Sequence, residues 1–551
     1  MISHICIRNC GMGEVSYSIL KKSLLRRLRR YAVTMGEIGE EGYTVSVSTD
    51  ESLTDDRYRI EFSLQGAEIL AANDCAVHAA VGRLLLESFF DGRGMFVPPK
   101  AGTIVDFTPA KPIRGMYFAT HFYNFYHVAP LVEVFEVIED LAMRGCNSIL
   151  VWFDMHHFTG MDDPAALELT ERLYTILRYA NQIGISGSLT MLGNEAFSSS
   201  PEPLRAEWRA IGKYRQEPDD HYHLEICPSK EGGIEEILRE RREMLSRFVD
   251  LDIRYICYWP YDQGGCTCKN CQPWGANGFM KLLPHFQALI KEMLPKCEII
   301  VSTWYFDRFI DGEWDAFYPL LYTPLFRDIH YVMAFFFRGK IPECLAAGGI
   351  PDGIRFLDFP EISMYSCNPW GGYGASVLTG FLDETNRNSG QLYSGGFPYS
   401  EGIFEDANKF IQLCYYSGLY PDAHDALRAY VRSEFCCADE ELYQAVLKTE
   451  TALARTKERD LPQFRCVIQD PSDIEFVYRT FRKYQELLPE TITSSRNFRL
   501  FLLRAVIDYE LMTHEYYPIR SEVCQEAMRE VRHIYFADKR TKRWVSPPIG
   551  V

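Results

Sequence analysis

Apolar positions along the chain follow two different periods, and the pattern changes character twice. Before residue 108, Tyr43-Thr-Val-Ser-Val and Tyr58-Arg-Ile-Glu-Phe alternate as half-buried strands do, while Ala71 to Phe89 is apolar at helical spacing. This predicts a small α+β domain with one helix over residues 1–108. The passage Val97-Pro-Pro-Lys-Ala-Gly, followed by Thr108-Pro-Ala-Lys-Pro, marks its end. From Ile113 short apolar runs alternate with amphipathic stretches, and strands are expected to begin at Ile113, Ser148, Gly187, Tyr255, Ile299, Ile329, Ile354 and Leu392. Between the first two, Leu131, Val134, Phe135, Ile138 and Leu141 share one helical face, so the unit is β-helix-β.

Such alternation predicts a parallel α/β arrangement over residues 109–420, closed as a (β/α)8 TIM barrel, with an open doubly wound sheet as the alternative. The stretch from Ile329 to Gly353 is short for its helix. Beyond Tyr420 the strand pattern stops. Asp425 to Phe435, Asp439 to Arg459, Asp473 to Leu488, Asn497 to Tyr517 and Ser521 to Tyr535 read as helices of a C-terminal domain over 421–551.

Composition narrows the partners. With 75 acidic and 58 basic residues, the net charge of −17 argues against nucleic acid or an anionic membrane surface. No apolar run approaches the roughly 18 residues of a membrane span, and the N-terminus lacks the apolar core of a secretory signal. Seventeen cysteines, an odd number, suit reduced thiols, so the expected location is cytoplasmic. The aromatic share of 14% suits packing and also the ring surfaces on which sugars stack. For an enzyme of this size a symmetric homodimer is the commonest assembly.

In a parallel barrel the active site is built at the carboxyl ends of the strands, and here those ends are rich in carboxyl and aromatic groups. Cleaving a glycosidic bond requires one carboxylic acid to protonate the leaving oxygen and one carboxylate as nucleophile or base. Asp262, Glu361, Glu401 and Glu195 are the candidates. Around them, His121, Trp152, Asp154, His156, Asn194, Tyr261, Trp304, Tyr305, Asp307, Trp370 and Tyr399 are the candidate contacts to a small carbohydrate. Any one strand-end carboxyl can equally cap the helix that follows. Two further readings use the same residues: a metal-dependent hydrolase or isomerase with Asp154, His156, His157 and Glu195 around an open divalent ion, and a sugar-binding barrel without turnover.

The sharpest local pattern is Cys266-Thr-Cys268-Lys-Asn-Cys271, whose spacing suits metal ligands, with Cys227 available to complete a tetrahedral four-thiolate zinc site. Such a zinc is structural, since it leaves no open position for water. Carboxyl chemistry itself requires no cofactor.

Two segments carry a family resemblance. Ala71-Ala-Asn-Asp-Cys-Ala-Val-His-Ala-Ala-Val-Gly-Arg-Leu-Leu closing the first domain, then Pro112-Ile-Arg-Gly-Met-Tyr-Phe at the first barrel strand, resemble the β-hexosaminidase and α-glucuronidase superfamily of glycoside hydrolases. The helical tail is more similar to the α-glucuronidase branch. The resemblance implies a glycosidase with its general acid near the end of strand four, here Asp262, and further carboxylates on later strands, here Glu361 and Glu401. Hexosaminidases that use their substrate's acetamido group carry an adjacent Asp-Glu pair at that place, where this chain has Asp262-Gln263.

Overall fold

A computed structural model describes the chain except for residues 1, 32, 37–41, 91–93, 209–223, 263, 364–373, 457–464, 469, 515–520 and 537–551. The N-terminal part is a mixed six-stranded sheet in the spatial order Thr34–Met35, His4–Asn9, Tyr43–Thr49, Gly66–Ala71, Tyr58–Phe62, Ile104–Phe107. Tyr58–Phe62 alternates buried and exposed positions, as its sequence predicts, so one face is left for helices. Asp74–Glu87 is one of these, capped by the Asn73 side chain, which accepts from Ala76 N at 2.9 Å.

A second helix, Glu14–Leu28, was not legible in the sequence, where a single helix was expected. Its last turn carries Arg26 and Arg27, and these are not a solvated face. Arg26 pairs with Glu139 at 2.8 Å and Asp140 at 3.0 Å on the first barrel helix, Leu131–Met143. Arg27 at 3.0 Å and Arg30 at 2.6 Å both reach Glu434, which also receives Arg144 at 3.0 Å. Burial alone would raise the Glu434 carboxyl, but the guanidiniums of Arg30, Arg27 and Arg144 override it and hold it well below the usual carboxylate range. The two parts also touch at Gly82, where a Cβ would lie 1.8 Å from the Met143 carbonyl oxygen. A side chain there would force the helices apart.

Eight parallel strands close the barrel: Ile113–Phe118, Ser148–Trp152, Ser186–Leu192, Ile253–Trp259, Glu298–Ser302, Tyr331–Ala334, Arg355–Asp358 and Tyr393–Gly396, hereafter strands one to eight. Closure is made by Gly396 pairing with Arg114 and by Gly115 pairing with Ser148. A doubly wound sheet is thereby excluded. Strands one and two are buried at every position, which is why they read as largely apolar runs, with Arg114 of strand one buried against Asp56. The α-helices in the connections after strands five and six are short, Glu313–Phe317 and Glu343–Gly348. Tyr399–Ser400, beyond strand eight, adds to the carboxyl end of strand one.

The C-terminal helices Ala423–Glu434, Glu440–Lys448, Pro471–Leu487, Arg496–Thr513 and Glu522–Ile534 share one continuous apolar core with the barrel, whereas the N-terminal sheet has its own. One expectation fails here. The helix expected over Asp439 to Arg459 ends at Lys448, and Leu453–Thr456 pairs antiparallel with Arg465–Ile468. Two threonines follow Lys448 within three residues, and Val467-Ile468 stands in the partner strand, so β-branched residues favour the ladder over a longer helix. No helix among the described residues is long and apolar enough to cross a membrane.

Candidate active site

The carboxyl ends of the strands are where the backbone is most contorted. Of ten non-glycine residues with positive φ among the described residues, Phe122, Tyr123, Asp262, Tyr305 and Asp307 all lie just after strands one, four or five. Each such residue costs on the order of 1–3 kcal/mol, and they persist only where the surroundings fix them. Asp262 is the most displaced of these, at φ 82°.

Asp262, Glu361 and Glu401 come together around Tyr399. The Tyr399 hydroxyl donates to Glu401 Oε1 at 3.4 Å, the Tyr399 backbone pairs with Glu361, and burial together with the charges of Glu401, Glu361 and Asp262 raises the phenol well above its usual pKa. Burial pushes the Asp262 carboxyl up to about 6, opposed by a hydrogen bond from the Trp304 indole at 3.4 Å and by the Arg308 charge. Burial, with the neighbouring charges of Glu405 and Glu361, pushes Glu401 up to about 8.

The position of Glu401 is held from below. Its carbonyl accepts from the Tyr535 hydroxyl at 2.7 Å, and that hydroxyl accepts from Phe125 N at 3.1 Å. Glu405 Oε1 accepts from Ser400 Oγ at 2.6 Å and from Gly402 N at 2.8 Å, fixing the residues on either side.

Glu195 sits differently. It is 1% exposed, accepts from His156 N at 3.2 Å and Trp152 Nε1 at 3.4 Å, and pairs with His156 Nδ1 at 2.9 Å. Its lone pairs are directed at the protein, so it orients the end of strand two. Asp154 pairs with His157 Nε2 at 3.4 Å, and burial and the Glu195 charge raise its pKa well above the usual value. The four residues of the metal-dependent reading thus stand as two pairs. Burial and the neighbouring histidines His127, His156 and His157 push His121 down to about 3, so its ring is neutral. His121 Nδ1 and Asp154 Oδ1 are buried without a hydrogen-bond partner among the described residues.

An arc of rings joins these groups. Tyr305 stacks on Trp304 at 4.5 Å, and both Trp304 (5.3 Å) and Trp259 (4.9 Å) meet Phe359 edge-on. Phe359 meets Tyr117 at 5.5 Å, Tyr117 stacks on Tyr399 at 5.3 Å, and His121 meets Trp152 at 4.9 Å. Tyr117 and Phe359 were not singled out in the sequence. Tyr117 shares the parity of Gly115 in strand one, where a Cβ would lie 2.3 Å from the ring of Phe397, the residue after strand eight. Phe359 gave no signal beyond its place at a strand end.

Three expected sugar contacts are used inside the protein. Asn194 donates to the carbonyls of Ile226 at 3.0 Å and Gly265 at 2.7 Å and accepts from Gly265 N at 2.8 Å. Tyr261 donates to Glu313 Oε1 at 2.6 Å, and Asp307 Oδ1 accepts from Glu313 N at 2.6 Å, so Glu313 knots the loops after strands four and five. Trp370 lies outside the described residues. Cys227, Cys266, Cys268 and Cys271 do converge, with all four sulfurs within 4.8 Å of one another.

No protein-family model matches the sequence, and no curated protein matches it. Solved structures do match the fold. A family GH115 4-O-methyl-α-glucuronidase with specificity for decorated arabinogalactans is similar at 10% identity and TM-score 0.62, over 100% of this chain and 79% of that one. A family 89 glycoside hydrolase from Clostridium perfringens is similar at 12% identity and TM-score 0.57, over 94% of this chain and 65% of that one. A GH20 β-N-acetylhexosaminidase from Streptomyces coelicolor A3(2) is similar at 12% identity and TM-score 0.51, over 84% of this chain and 94% of that one. The fold of this chain, a parallel eight-stranded barrel with an α/β part before it and helices after it, is thus similar to the folds of these glycoside hydrolases.

Proposed function

We propose that this chain is a glycoside hydrolase in which Asp262 is the general acid and Glu361 the carboxylate facing the anomeric carbon. One observation carries the reading: carboxyls from the ends of strands four, seven and eight, Glu361 and Glu401 buried and Asp262 half-buried, stand around Tyr399 beside an arc of aromatic rings suited to a sugar. The fold shared with several glycoside hydrolases is consistent with it. A general acid works best with a pKa near the working pH, and Asp262 at about 6 meets that condition.

Glu361 and Glu401 cannot both ionise cheaply beside each other, and Glu401, raised to about 8, keeps the proton at neutral pH. In the reaction Asp262 gives its proton to the glycosidic oxygen as the bond to the anomeric carbon breaks, and Glu361 stabilises the oxocarbenium-like centre as nucleophile or as base on water. His121 Nδ1 and Asp154 Oδ1 are two buried polar atoms available to bind sugar hydroxyls.

Hydrolysis of a panel of aryl α- and β-glycosides, including glucuronides, glucosides, galactosides and N-acetylhexosaminides, tests this. Release of one sugar, with Asp262→Asn and Glu361→Gln each losing about 10²-fold or more, supports the assignment. Full activity in both variants, or no cleavage of any glycoside, overturns it.

A further inference from the structure

We propose that Cys227, Cys266, Cys268 and Cys271 bind one zinc ion as a tetrathiolate, and that this ion clamps the loop carrying Asp262. The clause about Asp262 rests on the glycosidase reading; the metal site does not. Cys227 comes from the loop after strand three and the other three from the loop after strand four, so the ion would join two neighbouring loops at the barrel mouth.

The sulfur geometry is the first argument. Cys227 Sγ lies 3.6 Å from Cys266 Sγ and 3.8 Å from those of Cys268 and Cys271. A tetrahedron with Zn–S bonds of about 2.3 Å has edges of about 3.8 Å, whereas a disulfide needs about 2.05 Å. The four are therefore at ligand separation and not at bonding separation. Cys227, Cys266 and Cys271 are buried, which excludes competing water from three sides.

The frame around the sulfurs is the second argument. Cys271 N donates to Cys268 O at 3.0 Å, making the tight turn that brings both thiols to one side. Ser229 Oγ lies 3.2 Å from Cys271 Sγ, a donor suited to a charged thiolate. Asn194 ties the backbone beside Cys227 to that beside Cys266 through Ile226 O and Gly265, so both halves of the ligand set are braced by one side chain. On binding, four thiols lose four protons to solvent and four S–Zn bonds form; no electron is transferred.

Asp262 lies between the end of strand four and Cys266 in a short, constrained segment. The Trp274 indole donates to Pro260 O at 2.8 Å, and Gly264 passes so close to that carbonyl that a Cβ would lie 2.5 Å from it. With Cys266 anchored on the metal, the segment is fixed at both ends and Asp262 is held at its positive φ. The ion acts on Asp262 by position and takes no part in the chemistry.

Elemental analysis of the full chain, purified without chelator and under reducing conditions, should find one zinc per chain. A mercurial thiol reagent should release it, and cobalt(II) chloride added to the metal-free protein should give the charge-transfer and visible bands of a tetrahedral cobalt tetrathiolate. Cys268→Ser should lose zinc to a chelator faster than the parent, while Cys297→Ser should not. Hydrogen exchange separates the clamp from the glycosidase reading, since it needs no substrate: on zinc removal, amides within 224–230 and 260–278 should exchange at least about tenfold faster while those of Ser148–Trp152 keep their protection. A chain that takes up no zinc, that holds iron instead, or that carries a disulfide among these cysteines overturns the metal site. Unchanged exchange at 260–278 after zinc removal overturns the clamp.

Discussion

The indole N–H of Trp304 donates to Asp262 Oδ1 at 3.4 Å, so an aromatic side chain that walls the mouth also sets the acidity of the proposed acid. The bond favours the charged carboxylate and holds the pKa near 6 against burial. Trp304→Phe keeps most of the ring surface and removes the donor. The basic limb of the kcat/KM profile, expected near pH 6, should then move upward by about half a unit, since a hydrogen bond this long is a weak one. A pH–rate comparison of parent and variant checks this; an unmoved limb assigns the ionisation to another group.

Glu195 supports Trp152 and His156, so its removal should differ in kind from loss of the proposed acid. Glu195→Ala should lower stability by about 1–3 kcal/mol, because buried donors lose their acceptor. It should also raise KM more than it lowers kcat. Glu195→Gln, which keeps an acceptor oxygen, should recover part of both. Steady-state kinetics with thermal unfolding separates this pattern from the pure kcat loss expected of Asp262→Asn.

Glu401 should make the native state weaker as pH rises. Its folded-state pKa of about 8 lies above the ordinary 4.5, so the stability it contributes is fully present below pH 4.5 and is lost as pH rises through 8. Glu401→Gln does not titrate. The variant's Tm relative to the parent should therefore climb by a few degrees between about pH 5 and pH 8, while activity falls. Parallel melting curves with pH decide the sign.

At Glu434 the sign is reversed. Three arginines hold its pKa below the usual range, so its contribution is present above about pH 4 and is lost as pH falls through the depressed value. Glu434→Gln should cost about 3–5 kcal/mol near neutrality by leaving the buried guanidiniums, Arg30 above all, short of a counter-charge, and the gap to the parent should narrow in acid. Melting the two proteins at pH 7 and at pH 3 measures both claims.

Most of the barrel was legible in the sequence because most of its strands are short, largely apolar runs, and Ser148 begins a strand as expected. Other starts, such as Gly187 and Ile299, fall one residue after the observed ones. The helix Glu14–Leu28 was hidden because its basic face is matched by acids distant in sequence, Glu139, Asp140 and Glu434. The site divides along the same line. A polar residue after a strand can point into the mouth or back into the loops, and the choice depends on partners no local pattern names. Tyr261 follows Glu313, which lies in the next connection, and Asp307 follows the same residue six positions further along its own loop. Asn194 follows Gly265, and the cysteine spacing that was legible marks the place to which Asn194 is committed.

Tyr535, the residue closing the last described helix, reaches the carbonyl of Glu401 and stacks on Phe404 at 4.6 Å. The smallest unit that can hold the proposed reacting groups in register is thus longer than the barrel. A fragment trimmed at residue 420 would keep all eight strands and the three carboxyls yet lose the support beneath one of them. Shuffling this barrel onto a different tail, whether by recombination or by design, would have to rebuild that support first.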